Sequence, residues 1–199
     1  TMVAVMQPDF TAKTYVMSGN GFPPVSRLYN GAVVNAISGG PAEGIVFLTH
    51  HLMSSILKTG KEELSDMENL ATSGVSGALG SIAISPCERV MIQQQLHGGS
   101  AFSAMRPVIE KEGMRKAFYK GFIPSTYRDA IFNCAVFGLN EITNRRLEKA
   151  LPNKEQRELI ASGSVGTVIG ALSTPFDRIK TLMQSDVQGE YESMSQTVK

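Results

Sequence analysis

Residues 159–176 run for 18 positions without a charge; the run ends with Pro175 and Phe176 and leads straight into Asp177 and Lys180. As a helix, a stretch of this length crosses the apolar core of a bilayer. The proline removes a backbone donor and crowds the preceding turn, so it predicts a kink near the end of that helix. Asp177 and Lys180 stand three residues apart and share a helical face. Ions at such depth are costly unless paired or set in a cavity. The arrangement occurs twice. Pro86, Glu88 and Gln95 lie 89 residues before Pro175, Asp177 and Gln184, behind a second uncharged run at 70–87. One proline-acid string is weak; two copies, each closing an apolar helix and ending in glutamine, constrain the chain to membrane-crossing helix pairs.

The same shift of 89 residues matches Ser73-Gly74 with Ser162-Gly163, Gly77 with Gly166, and Met105 with Met194. A third, partial copy opens the chain: Phe10 precedes Gly21 by 11 residues, as Phe102 precedes Gly113. Each glycine then leads to an aromatic-x-Gly, Tyr29-Asn30-Gly31 in one copy and Tyr119-Lys120-Gly121 in the other. Each of those opens another long helix. The period is too long for common solenoid repeats, so each unit is a helix pair with a linker.

With these motifs in this order, the chain resembles the mitochondrial carrier family. That family has three repeats, each with Pro-x-Asp/Glu-x-x-Lys/Arg on the odd helix. A short matrix helix follows, then Asp/Glu-Gly, an aromatic-Lys/Arg-Gly and the even helix; Glu112-Gly113 through Phe118, Tyr119, Lys120 and Gly121 fits closely. The resemblance implies an all-α membrane protein with four of the usual six transmembrane helices plus short matrix helices. We expect residues 1–65 to be a partial first repeat (matrix segment and even helix), 66–155 a complete second repeat, and 156–199 a partial third. Long helices are expected near 31–57, 66–95, 121–148 and 156–184, and short ones near 10–19, 101–112 and from 191 onward. The charged loops 58–65 and 149–155 separate them. The first and sixth spans are expected to be absent, leaving an open helix face.

Composition fits this picture. Mean hydropathy is −0.04 and 42% of residues are hydrophobic, low for a membrane protein but consistent with helices that line a wet cavity. Nineteen glycines suit close helix packing. A net charge of +1 argues against nucleic acid as a partner. Cys87 and Cys134 have no metal or redox spacing and are expected as small core residues. His50, His51 and His97 form no ligand set, and no nucleophile-base arrangement stands out, so no enzyme, catalytic residue, metal or soluble cofactor is expected.

The resemblance assigns sites residue by residue. Glu88, Asp177 and Lys180, with Gln95 and Gln184, fall on the matrix gate, and Glu88 and Lys180 are placed to meet. Met91 stands where the second repeat needs a base, and Arg89 is off that face. On the cytoplasmic side only Glu141 remains, since Asn140 and Asn144 replace other gate positions and Arg145 is out of register. Pro41, Pro86 and Pro175 are the expected helix kinks. Ser38, Arg128 and Asp129 align with substrate contacts: arginine grips a carboxylate and the acid an amine. The bland alternative is that Arg128 and Asp129 pair with each other or snorkel towards water. Tyr119, Lys120, Gly121, Gly31, Gly74 and Gly163 align with sites for cardiolipin, where a helix N-terminus favours phosphate.

These assignments imply a multi-pass protein of the mitochondrial inner membrane with both termini in the matrix. Its partners are the bilayer, cardiolipin and other inner-membrane subunits covering the open face. Degraded gates favour a non-transporting accessory subunit of a larger assembly. The alternative is a genuine solute carrier for small amino-acid or oxo-acid metabolites, of which this sequence is a part.

Overall fold

The computed structural model describes residues 2–59, 61, 64–148 and 150–197. In the charged loops, Glu62, Glu63 and Lys149 lie outside the described residues. All regular elements among the described residues are helical. In chain order these are α1 (Met2–Met17), a 3-10 turn (Val25–Arg27), α2 (Ala32–Leu57), α3 (Asp66–His97), α4 (Ala101–Tyr119) and α5 (Phe122–Asn133). A π turn (Cys134–Leu139), α6 (Asn140–Leu147), α7 (Lys154–Ser185) and the short α8 (Met194–Thr197) follow.

Helix starts are written locally. Ser65 and Glu68 form a capping box at the head of α3: the Ser65 amide donates to Glu68 Oε2 (2.9 Å) and the Glu68 amide to Ser65 Oγ (3.3 Å). Ser100 caps α4 by accepting from the Ser103 amide. Asn153 Oδ1 accepts from the Glu155 amide at the head of α7. Pro8, Pro41, Pro86 and Pro175 all lie inside helices.

Two expectations change. The first helix is not a short segment at 10–19 but α1, which begins by Met2 and carries Pro8 within it. The segment at 121–148 is not one regular helix: the π turn splits it into α5 and α6. Three stretches, Val25–Leu57, Asp66–His97 and Lys154–Ser185, are long and apolar enough to cross a membrane. Residues 122–147 are not among them; Arg128, Asp129, Glu141, Arg145 and Arg146 all fall in this stretch.

Burial follows the logic of an apolar solvent. Val33, Ile37, Phe47, Leu52 and Ile56 of α2, and Leu159, Val168 and Leu172 of α7, are exposed. Thr72, Ser73, Ser76 and Ser81 of α3 are buried. These hydroxyls cost little inside because they donate to their own helix, Thr72 to Glu68 O, Ser73 to Asn69 O and Ser76 to Thr72 O (all 2.7 Å). Small side chains then let helices approach closely where no water drives association. The protein is an all-α membrane protein.

The chain forms two compact units, each taking one stretch of the long helices. Unit 1 is Thr1–Glu43, Ile82–Ser125 and Phe176–Lys199. Its apolar clusters are Tyr15, Ile92 and Leu96, and Met105, Val108 and Ala117 with Val90 and Phe118 packed on them. Unit 2 is Gly44–Ser81 and Thr126–Pro175, with Ala135, Val165 and Ile169 as its cluster.

Candidate functional site: two polar centres

The first centre lies in unit 1, where the ends of α1, α3 and α7 meet. Lys180 of α7 bonds Glu88 of α3 at 2.5 Å, with side-chain exposures of 5% and 13%. Asp177, the acid of the same α7 motif, bonds Lys13 of α1 at 2.8 Å. Lys13 was not anticipated, yet a signal existed. It follows Pro8 by five residues, the spacing that separates Lys180 from Pro175. The α1 segment, aligned by sequence with the matrix helices, thus carries the proline and base of an odd-numbered helix.

Arg89, set aside in the sequence because it faces away from Glu88, is fully buried. It donates to Glu112 Oε2 (2.6 Å) and to Lys116 O (2.5 Å). Lys120 joins the same cluster. Its three ammonium donors go to Glu112 Oε1 (3.0 Å), Asp186 O (2.9 Å) and Asp186 Oδ2 (2.9 Å). The sequence set Lys120 at a lipid site; here its side chain is 7% exposed and its charge is shared between two carboxylates. Burial pushes the Asp186 carboxyl up, but hydrogen bonds from Lys120 and from the Tyr191 and Gly189 amides hold it at about 2.

Gln95 and Gln184 are buried under the glycines that open α2 and α5. Gly31 and Gly121 have φ of 80° and 79°, a region that disfavours any Cβ. A Cβ on Gly121 would lie 2.9 Å from Gln184 Cγ, and one on Gly31 would lie 2.9 Å from Met91 Cγ and 3.6 Å from Gln95 Cγ. Packing alone therefore demands both glycines. Gly74 is also a packing residue, since its Cβ would lie 2.7 Å from Cys134 Sγ; nothing stands within 4 Å of a Cβ on Gly163. Tyr119 is exposed and set edge-on to Phe122 at 6.0 Å.

The second centre lies in unit 2. Arg128 and Asp129 of α5 are hydrogen-bonded to each other, with 28% and 5% of their side chains exposed. The pairing matches the bland alternative, and it presents a half-covered guanidinium beside a buried carboxylate. Asn133 donates to Asp129 O (2.8 Å). Gly77 of α3 admits this turn, because a Cβ there would stand 2.4 Å from Asp129 O and 2.7 Å from Asn133 Nδ2. Ser38, the remaining aligned contact, belongs to α2 within unit 1 and donates to Val34 O at 2.7 Å.

Glu141 accepts from Asn69 Nδ2 of α3 (2.7 Å), and Arg145 bonds Asp66 (2.9 Å). These residues tie α6 to α3. His50 stacks on Phe137 of the π turn at 5.1 Å and lies 3.3 Å from Ser73 Oγ. Phe137 also meets Phe47 edge-on at 5.2 Å. No group of three or more potential metal ligands occurs among the described residues.

Comparison with known proteins identifies the framework on which these centres sit. The family described as "Mitochondrial carrier protein" matches residues 62–151. S-adenosylmethionine carrier 1, chloroplastic/mitochondrial, of Arabidopsis thaliana is 29% identical over 92% of this chain and 58% of its own length. A mitochondrial adenyl nucleotide antiporter of Danio rerio is 28% identical over all of this chain and 45% of its own. Mitochondrial substrate carrier family protein X of Dictyostelium discoideum is 27% identical over 80% of this chain and 54% of its own. The chain thus spans about half the length of the curated relatives it matches. The central segment matches the mitochondrial carrier family, and the relatives that the chain resembles, at 27–29% identity, are carriers by name.

Proposed function

We propose that the protein is a solute carrier of the mitochondrial inner membrane whose substrate is a small zwitterion of amino-acid type. The observation that carries this is the Arg128–Asp129 pair on α5. Its guanidinium is exposed enough to take a carboxylate, and its buried acid can take an amine in exchange. The relatives named for S-adenosylmethionine add to it, since that molecule carries an α-amino and an α-carboxylate group. The accessory-subunit expectation rested on weak gates; the relatives are named as carriers and antiporters, and they favour transport. In this proposal the C-terminus faces the matrix, and lipid covers the exposed apolar faces of α2 and α7. Cardiolipin sits at the starts of α2 and α5 through backbone amides near Gly31 and Gly121, without help from Lys120.

The test is uptake into proteoliposomes by the full-length protein. Saturable uptake of an S-adenosylmethionine-like or smaller amino acid should fall at least tenfold in Arg128→Ala and be partly kept in Arg128→Lys. Uptake that is indifferent to both changes refutes the assignment.

A further inference from the structure

Parallel helices packed in register keep a constant sequence separation between facing residues. The three seams of unit 1 each show such a constant. Across α3 and α7, Glu88 bonds Lys180, 92 residues apart, while Gln93 donates to Gln184 O (2.7 Å) and approaches Ser185 O (3.4 Å), 91 and 92 apart. Across α1 and α7, Lys13 bonds Asp177 and Thr181 approaches Met17 Sδ, both 164 apart. Across α1 and α3, Thr14 donates to Gln95 Oε1 (2.7 Å) and Tyr15 to Leu96 O (3.4 Å), both 81 apart.

In the first two seams the ion pair joins an acid two residues after a helix proline to a base five residues after another. The remaining combination is position 10, two after Pro8, with position 91, five after Pro86. Phe10 and Met91 have the 81-residue separation of their seam, and each lies one turn before a member of the Thr14–Gln95 bond. We propose that Phe10 and Met91 form the third link of this ring, an apolar contact where the other two seams carry an ion pair. Both members are apolar together. Phe10 is 40% exposed. A carboxylate at 10 facing Met91, or a base at 91 facing Phe10, would lack the opposite charge that the other two seams supply. Neutral contacts are little affected by salt, whereas the exposed side of the Lys13–Asp177 pair is screened by it. The consequence for transport rests on the function proposed above: α1 and α3 part from each other without breaking an ion pair.

The experiment is a double-mutant cycle read as thermal unfolding of the full-length protein in detergent, which needs no uptake. Phe10→Glu and Met91→Lys should each lower Tm. The double variant should regain more than half of the summed loss at low salt, and less of it at molar salt. Losses that merely add at every salt concentration overturn the proposal. Should a charged variant fail to fold, Phe10→Cys with Met91→Cys, in a background with Cys87→Ser and Cys134→Ser, should cross-link on mild oxidation. Failure to cross-link overturns it equally. A protein that carries no substrate still answers both tests, so the link and the transport reading fail separately.

Discussion

Unit 1 and unit 2 take stretches of the same long helices and hold them together by different means. Unit 1 buries full charges: Arg89, Lys120, Glu112 and Asp186 form one cluster, and Glu88–Lys180 a second link. Unit 2 closes largely on missing side chains. Gly77 admits the Asp129–Asn133 turn, Gly80 admits Val46, and Gly138 admits Leu70, each with a Cβ distance under 3 Å. The difference follows the depth pattern of the sequence. Where a helix leaves its apolar run, charges can be desolvated in balanced groups. Within the run, close backbone approach and self-bonded hydroxyls cost less than any ion.

The largest effect should come from breaking the balance in unit 1. Arg89→Met keeps the side-chain volume but leaves Lys120 alone to offset Glu112 and Asp186. Removing one partner of a buried ion group costs about 3 kcal/mol or more, a little less here because Glu112 keeps Lys120. A fall in Tm well beyond that of the exposed-site control Arg106→Met is expected. Equal, small losses would show that the cluster contributes nothing to holding unit 1.

Unit 2 should answer to volume instead. Gly77→Ala forces the α5 turn at Asp129 to move, since the new methyl would stand 2.4 Å from Asp129 O. Overpacking of this kind costs about 1–3 kcal/mol. Gly163→Ala meets nothing within 4 Å, and replacing a helix glycine with alanine stabilises by up to about 1 kcal/mol. Opposite signs for the two substitutions, read as Tm shifts, would confirm that packing governs this unit. Matching signs would remove the contrast.

How much of this was legible beforehand differs between helices and partners. The long helices α3 and α7 are written in uncharged runs and local caps, and α2 in the aromatic-x-Gly that opens it, so their limits emerge within a few residues. The π turn at Cys134–Leu139 leaves no mark in composition. Lys13 was hidden because Phe10 occupies the acid position after Pro8, and the alignment of Phe10 with Phe102 drew α1 into the wrong class. The partners of Lys120 were hidden for another reason. A lysine at a helix start suits a phosphate, and only the tertiary fold brings Glu112 and Asp186 to it. Arg89 shows the same limit: its neighbours in sequence say which face it leaves, not which carboxylate it finds.

The smallest effect, and the sharpest discriminator between the units, is acid sensitivity. Asp186 is held at about 2 against an ordinary 3.8. Burial opposes its charged form, but the Lys120 hydrogen bond and two backbone amides outweigh that. An acid depressed on folding contributes its stability in full above the ordinary value and loses it as pH falls through the folded value. The contribution from Asp186 should therefore fade between pH 3.8 and about 2. Asp186→Asn should melt earlier than the native protein at neutral pH, because Lys120 loses its charged partner and Arg89 is left nearby. That gap should narrow steadily as pH is lowered through this window, since the native carboxyl becomes as neutral as the amide. The difference between Gly77→Ala and native protein should stay constant over the same range, because no titrating group makes that contact. A gap for Asp186→Asn that does not close in acid would mean that the Lys120 cluster is held by shape rather than by charge, and unit 1 would then resemble unit 2.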